Sequence, residues 1–143
     1  MASITSANAV YALMITKLIP APIQLQGFAA DDIFDTEALE VGEVLMGVDG
    51  FLSAGYVKHP IKQSITLQAD SASNKIFEAW YAGEKALGDK YFAQATVVLP
   101  ALKTIYTLTN GVMTMYAPIP DAKKVLQPRK FSIVWESVIG VPL

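Results

Sequence analysis

The stretch Thr104-Ile-Tyr-Thr-Leu-Thr-Asn-Gly-Val-Met-Thr-Met-Tyr-Ala117 decides how this chain is read. Asn110-Gly111 separates two runs rich in β-branched and aromatic residues. A type I′ turn needs positive φ at both central residues, which Asn and Gly tolerate best. With these two as the loop, Thr109 pairs with Val112, Leu108 with Met113, Thr107 with Thr114, Tyr106 with Met115, and Ile105 with Tyr116. One face of the expected hairpin then carries Leu108, Met113, Tyr106 and Met115, a core face. The other carries Thr107, Thr109, Thr114, Val112, Ile105 and Tyr116 and no charge at all. Solvated sheet faces are more polar, so this one is expected to touch something. The helix of the same chain and a neighbouring subunit are both open.

Outward from the hairpin, two further stretches alternate with period two, the mark of half-buried strands. In Ile61–Ala69, Ile61, Ile65, Leu67 and Ala69 oppose Lys62, Ser64, Thr66 and Gln68, with Gln63 the exception. In Arg129–Glu136, Phe131, Ile133 and Trp135 oppose Lys130, Ser132 and Glu136, with Val134 the exception. Weaker strand candidates are Val10–Thr16, Ile23–Phe28, Leu39–Met46 and Ala93–Leu99. One helix is expected over Ser73–Leu87, with Asp70, Ser71 and Ser73 as possible N-caps and Gly88 at C′. Ile76, Phe77, Trp80, Tyr81 and Leu87 form its apolar face. The fold class is mainly β, an antiparallel β-sandwich or barrel with one flanking α-helix, and residues 1–143 are expected to be a single domain.

Composition narrows the chemistry. In 143 residues, apolar types make up 52% and charged types 17%, which excludes a disordered chain. The net charge of −2 argues against a dedicated nucleic-acid binder. There is no cysteine and a single histidine, His59, so thiolate sites and cysteine nucleophiles are excluded and histidine-based triads disfavoured. Met1–Thr16 is mildly apolar, but its first cation, Lys17, follows that stretch, the reverse of a secretory signal. No window matches a membrane-spanning helix. The expectation is a soluble protein made without a leader.

Chemical motifs are sparse. Gly42-Glu-Val-Leu-Met-Gly47 has the glycine spacing of a phosphate loop, but Val48 and Asp49 stand where Lys and Ser/Thr are required. His59 precedes Pro60 with no carboxylate and nucleophile arranged around it, and no G-x-S-x-G elbow is present. No enzyme activity, metal or cofactor is expected.

Charge distribution is the more informative signal. Asp31, Asp32, Asp35, Glu37, Glu40, Glu43 and Asp49 place seven of the thirteen acids within nineteen residues. Such a cluster can bind a hard cation or serve acid–base chemistry, but its spacing is not that of a calcium loop. A solvated loop or charged interface fits better. The cations lie elsewhere, among them Lys58, Lys62, Lys123, Lys124, Arg129 and Lys130. Residues 1–57 hold one cation against seven acids, and residues 58–143 hold ten against six, giving −6 and +4. This asymmetry suits self-association through unlike surfaces.

Three stretches resemble the tail tube proteins of contractile-tailed bacteriophages. They are Ile65-Thr-Leu-Gln-Ala-Asp-Ser71 leading into the helix with Phe77 and Trp80-Tyr81, Thr96–Pro120, and Asp121-Ala-Lys-Lys-Val-Leu-Gln-Pro-Arg-Lys-Phe-Ser-Ile-Val-Trp135. The likeness spans roughly residues 56–137. It implies two packed antiparallel sheets with a flanking helix, and six copies in a ring whose strands join into an inner β-barrel. Rings would stack head to tail into a tube, with a sheath protein outside, a tape-measure protein inside during assembly, and a baseplate and tail terminator at the ends. DNA would pass through the lumen at genome ejection without specific binding. The protein would be made in the host cytoplasm and reside in the virion, with no membrane contact. Related tubes occur in contractile bacteriocins and type VI secretion, which this likeness does not separate from a phage tail. A single-ring connector or terminator, or a small-ligand β-barrel, is the alternative.

Within that frame the charges gain expected roles. Asp31, Asp32, Asp35, Glu37, Glu40, Glu43 and Asp49 either meet an adjacent ring or line the lumen, with Asp31–Asp49 an extended loop or hairpin arm. Lys58, Lys62, Lys123, Lys124, Arg129 and Lys130 are the expected inter-ring cations.

Overall fold

The computed structural model describes residues 9–29 and 33–143. The strands are β1 (Val10–Ile15), β2 (Ile19–Gln24), β3 (Phe34–Thr36), β4 (Gly42–Met46), β5 (Leu52–Tyr56) and β6 (Ile61–Leu67). The helix α1 (Asn74–Leu87) follows, then β7 (Ala93–Leu99), β8 (Thr104–Met115) and β9 (Arg129–Pro142). Seven strands form one antiparallel sheet in the order β2-β1-β7-β8-β9-β6-β3, and β4 and β5 pair separately. The mainly β class with one helix is therefore correct. The sheet is open, with β2 and β3 at its edges; Pro20 and Pro22 remove two backbone donors from β2, as edge strands tolerate.

The hairpin expected at Asn110-Gly111 does not form. Residues 104–115 are one continuous strand lying between β7 and β9. Asn110 does take positive φ, at 50°, but as the extra residue of a bulge against β7, where the register slips between Ala93↔Gly111 and Ala95↔Leu108. Gly111 does not. The bulge has a packing reason. Leu108 and Met113 are five residues apart, so in a regular strand they would point to opposite faces, yet both are buried. One extra residue resets the alternation and turns both inward.

The two sheets implied by the resemblance are in fact two layers of this one sheet. β1 and β6 lie four places apart in the strand order, yet the Tyr11 hydroxyl of β1 donates to Gln63 Oε1 of β6 at 2.6 Å. Only a sheet curled onto itself permits that contact. The long strands β8 and β9 carry the curl, each contributing one half to each layer. β7 pairs with Thr104–Gly111, while β6 pairs with Arg129–Trp135. The first layer is thus β2, β1, β7, the first half of β8 and the second half of β9. The second is β3, β6 and the other halves.

Between them lies the core, built from the inward positions of both layers: Tyr11, Leu13, Ile15, Ile61, Ile65, Leu67, Ala95, Val97, Leu108, Phe131, Ile133 and Trp135. Helix α1 adds Phe77 and Trp80, and Phe77 stacks on Phe131 with ring centroids 4.3 Å apart. Gly88 ends the helix with φ of 70°, as its position predicted, but Ser73 does not cap it; its hydroxyl instead accepts the Gln26 N–H. Gln63, the exception in the β6 alternation, is buried because it accepts from Tyr11 and from Trp135 Nε1 (3.1 Å) and donates to Thr36 Oγ1. Burial pushes the Tyr11 phenol well above its ordinary value. The expected strands at 10–16 and 93–99 are present, and Ile23–Phe28 and Leu39–Met46 shift to β2 and β4. β3 and β5 were not anticipated.

Candidate assembly surface

β4 and β5 form an arm that no other described element covers. Its register is Gly42↔Tyr56, Glu43↔Gly55, Val44↔Ala54, Leu45↔Ser53 and Met46↔Leu52. Directly opposed residues share a face. Val44, Met46, Leu52, Ala54 and Tyr56 therefore lie together on one apolar face, and every residue of both strands is exposed. Tyr56 is 78% exposed and Phe51, near the tip, 75%. At the tip Gly50 takes φ of 85°, and Asp49 Oδ1 accepts the Phe51 N–H at 3.2 Å. The sequence cue for this arm is Asp49-Gly50 between Val44-Leu45-Met46 and Leu52–Tyr56, a dipeptide of the same kind as Asn110-Gly111. Gly42–Gly47 is thus a strand running into a turn, with no strand-to-helix geometry for phosphate.

The acidic residues follow the arm and its root. Asp31 and Asp32 lie outside the described residues. Asp35 sits on β3 beside Ser64, and the Glu37 N–H donates to the Lys62 carbonyl, so this pair of acids runs next to β6. Glu40, with Lys58, His59 and Glu136, lines a crevice at the arm's root. Glu43 is on β4 and Asp49 shapes the tip. All the described members of the set are exposed.

The cations divide. Lys58, Lys123, Lys124 and Lys130 are exposed and Lys62 half-buried. Lys62 and Lys130 project from the outward side of the second layer, alternating with its core residues. Arg129 does not belong with them. It is 4% exposed, its Nε and Nη2 donate to the Ala117 carbonyl, its Nη1 donates to Glu78 at 2.8 Å, and its guanidinium lies over the Tyr116 and Phe131 rings. It clamps the chain leaving β8 onto the helix and has no free donor edge to offer a neighbour. The sequence hid this because a cation at the start of an alternating strand looks like any solvated residue. Glu84 is similarly internal, accepting from Trp80 Nε1, Lys90 Nζ and the Tyr91 N–H. Among the described residues, Lys90–Glu84 and Arg129–Glu78 are the ion pairs within the chain, so Asp35, Glu37, Glu40, Glu43 and Asp49 make no ion pair with a described cation of their own subunit. No group of three or more metal-ligating side chains occurs among the described residues, and no described helix is long and apolar enough to cross a membrane.

The first layer has a different surface. β1, β2, β7, β8 and residues 137–143 contain no Asp, Glu, Lys or Arg. Its outward side chains run in cross-strand rows, Val10–Val98–Ile105–Val141 and Ala12–Thr96–Thr107–Ile139. Part of this is the uncharged face expected at Ile105, Thr107 and Thr109. The expected face is divided: Tyr116 stacks on Tyr81 of α1 with ring centroids 4.4 Å apart, whereas Thr107 in the first layer stays exposed.

Comparison with known proteins adds a family and a fold. The sequence profile of a family described as tail fiber protein gp32 matches residues 2–139. No curated protein sequence matches. A chain of the anti-feeding prophage baseplate has a similar structure, with a TM-score of 0.66 and 12% identity over 99% of this chain and 97% of that one. A chain of the anti-feeding prophage tube-terminating cap gives 0.63, with 10% identity over 100% and 93%. A chain of the sheath–tube complex of an extracellular contractile injection system (PVC) gives 0.60, with 12% identity over 93% and 88%.

Proposed function

The chain belongs to the tail fiber protein gp32 family, and we propose that it is the structural subunit of a tail tube. In this reading residues 1–143 act as one domain, six copies close into a ring, and rings stack head to tail around a channel that conducts a genome. A sheath surrounds the tube, a tape-measure protein occupies it during assembly, and a baseplate and terminator close its ends. The protein resides in the virion tail, holds no cofactor and carries out no catalysis.

The β4–β5 arm carries the reading. An isolated two-stranded hairpin is at best marginally stable in water and needs a covered apolar face. Here Val44, Met46, Leu52 and Tyr56 are exposed, with no cover from the described residues of their own chain. Burying one such side chain contributes about 1.5–3 kcal/mol, and a second copy of the chain supplies the cover in every ring at once. The acids along the arm and the exposed Lys123, Lys124 and Lys130 on other elements are of opposite sign, as heterologous stacking of identical rings allows. The fold shared with contractile injection system chains is consistent with this role.

Negative-stain microscopy of the purified protein tests it. Long hollow tubes are expected. Isolated rings that do not extend would make the protein a connector or terminator, and particles no larger than one subunit would overturn the assembly reading altogether.

A further inference from the structure

We propose that the second half of β8 is a strand edge that Lys90 keeps closed, so that a second copy of the chain cannot add to the sheet there. The proposal concerns the folded subunit and stands whether or not subunits form a tube. β9 pairs with Val112, Met113 and Met115 on one side. On the other side β7 begins only at Ala93, opposite Gly111, and no further strand lies there among the described residues. A crevice of about 630 Å³ separates this side from the end of α1, lined by Tyr81, Lys85, Met113, Met115 and Tyr116. An edge strand presents unpaired N–H and C=O groups to any other chain. The outermost strands of the sheet order have ordinary defences: β2 carries Pro20 and Pro22, and β3 is three residues long and carries Asp35. Val112-Met-Thr-Met-Tyr-Ala117 has no charge, proline or glycine, the composition of a segment that stacks on copies of itself.

Lys90 supplies the missing defence. Gly88 turns the chain out of α1 with φ of 70°, and the Lys90 N–H donates to Asp89 Oδ1 at 2.8 Å. The Lys90 ammonium then donates to Glu84 Oε1 and to the Met113 carbonyl, both at 3.0 Å. Glu84 fixes that position, because it is 7% exposed and its carboxylate also accepts from Trp80 Nε1 and the Tyr91 N–H. To reach the Met113 carbonyl, an incoming strand would have to displace a charge-assisted hydrogen bond from an ammonium anchored on a buried carboxylate. The arrangement occurs twice. Both ion pairs among the described residues run from a glutamate of α1 through a cation to a carbonyl of this one neutral segment: Glu84–Lys90 to Met113, and Glu78–Arg129 to Ala117.

Two variants remove the guard. Lys90→Met opens the Met113 carbonyl, and Glu84→Gln with Lys90→Met does so without leaving a buried carboxylate short of its cation. Each full-length protein is refolded from urea at equal concentration. Thioflavin T fluorescence and electron microscopy are read on the same sample, with urea midpoints measured beside them. A several-fold rise in fluorescence with non-tubular, β-rich aggregates is expected for both variants. Lys90→Arg keeps a cation at this position and should match the unmodified protein. Adding Met115→Lys to the double variant returns a charge to the same edge and should abolish the rise; Met115 is 57% exposed, so the subunit accommodates it. If Lys90→Met does not refold, the double variant decides. Fluorescence equal to that of the unmodified protein overturns the proposal. So does a rise that Met115→Lys fails to suppress, since the aggregation would then come from general destabilisation. Tube formation by the unmodified protein is scored separately by microscopy, and its absence bears on the tube reading alone.

Discussion

Gly111 lies where β8 passes from one layer to the other, and the space a side chain would fill there belongs to Trp135. A Cβ at this position would come within 2.5 Å of the indole Cε3 and 2.8 Å of Ile133 Cγ2. Both neighbours are fully buried and cannot move aside. Gly111→Val is therefore expected to destabilise the fold by overpacking, by about 1–3 kcal/mol or more. Gly55→Val, with nothing within 4 Å of its Cβ, should leave stability nearly unchanged. Urea unfolding of the two variants checks the contrast; equal midpoints would mean that Trp135 does not occupy this space. The same substitution would harm a type I′ turn, but through positive φ, and Gly111 has none. Asn110-Gly111 was legible as a place where the backbone must do something unusual. Whether that was a reversal or a bulge depended on β7 and β9, which pair with both sides of it.

The arm is where an element's own sequence and its surroundings disagree. Asp49-Gly50 between the apolar Val44-Leu45-Met46 and Leu52–Tyr56 is a local hairpin cue, although β5 was not anticipated. Nothing local specifies what covers it. Replacing Val44 with Lys and Leu52 with Glu places charges on the apolar face while conserving net charge. Because these positions are exposed in the subunit, the unfolding free energy should stay within about 0.5 kcal/mol of the unmodified protein, while tubes are lost. Unfolding curves with microscopy on one preparation separate the two effects. Normal tubes from this double variant would show that the arm is not an assembly contact. The helix illustrates the opposite case. Its extent, its C′ glycine and the inward Phe77 and Trp80 were readable from 73–88, because a helix satisfies its backbone within its own segment; Leu87, expected on the apolar face, is instead 63% exposed, and Glu84 is buried.

Across the whole molecule, the segregation of charge along the chain is only partly a segregation in space. β3 brings Asp35 and Glu37 alongside β6 and Lys62, whereas Glu43 and Asp49 travel out on the arm. Exposed pairs across a ring contact are worth about 0–1 kcal/mol each, but repetition around the ring multiplies them. Reversing Lys123 and Lys124 to Glu should leave the subunit folded and impair stacking. Reassembly of the unmodified protein should weaken toward 1 M salt, where the screening length falls to about 3 Å. Light scattering during reassembly measures both. Salt-independent assembly together with normal tubes from the double reversal would remove these lysines from the inter-ring contact. Arg129 is left out of the experiment, since its replacement would free the Ala117 carbonyl and Glu78 inside the subunit.

The sequence by itself determined the features that are local or periodic: a mainly β chain, β1, β6, β7 and the start of β9, the single helix with its glycine stop, and the lack of charge around residues 104–117. Each follows from side chains a few residues apart. Tertiary structure alone decided that 104–115 is one bulged strand, that one sheet makes both layers, and that Arg129 is internal. It also decided that the neutral residues divide, Tyr116 stacking on Tyr81 of α1 while Thr107 stays exposed. Those outcomes depend on partners tens of residues away, such as Gln63 meeting Tyr11 and Trp135. A period-two pattern shows which residues share a face, and only the packed chain shows what that face meets.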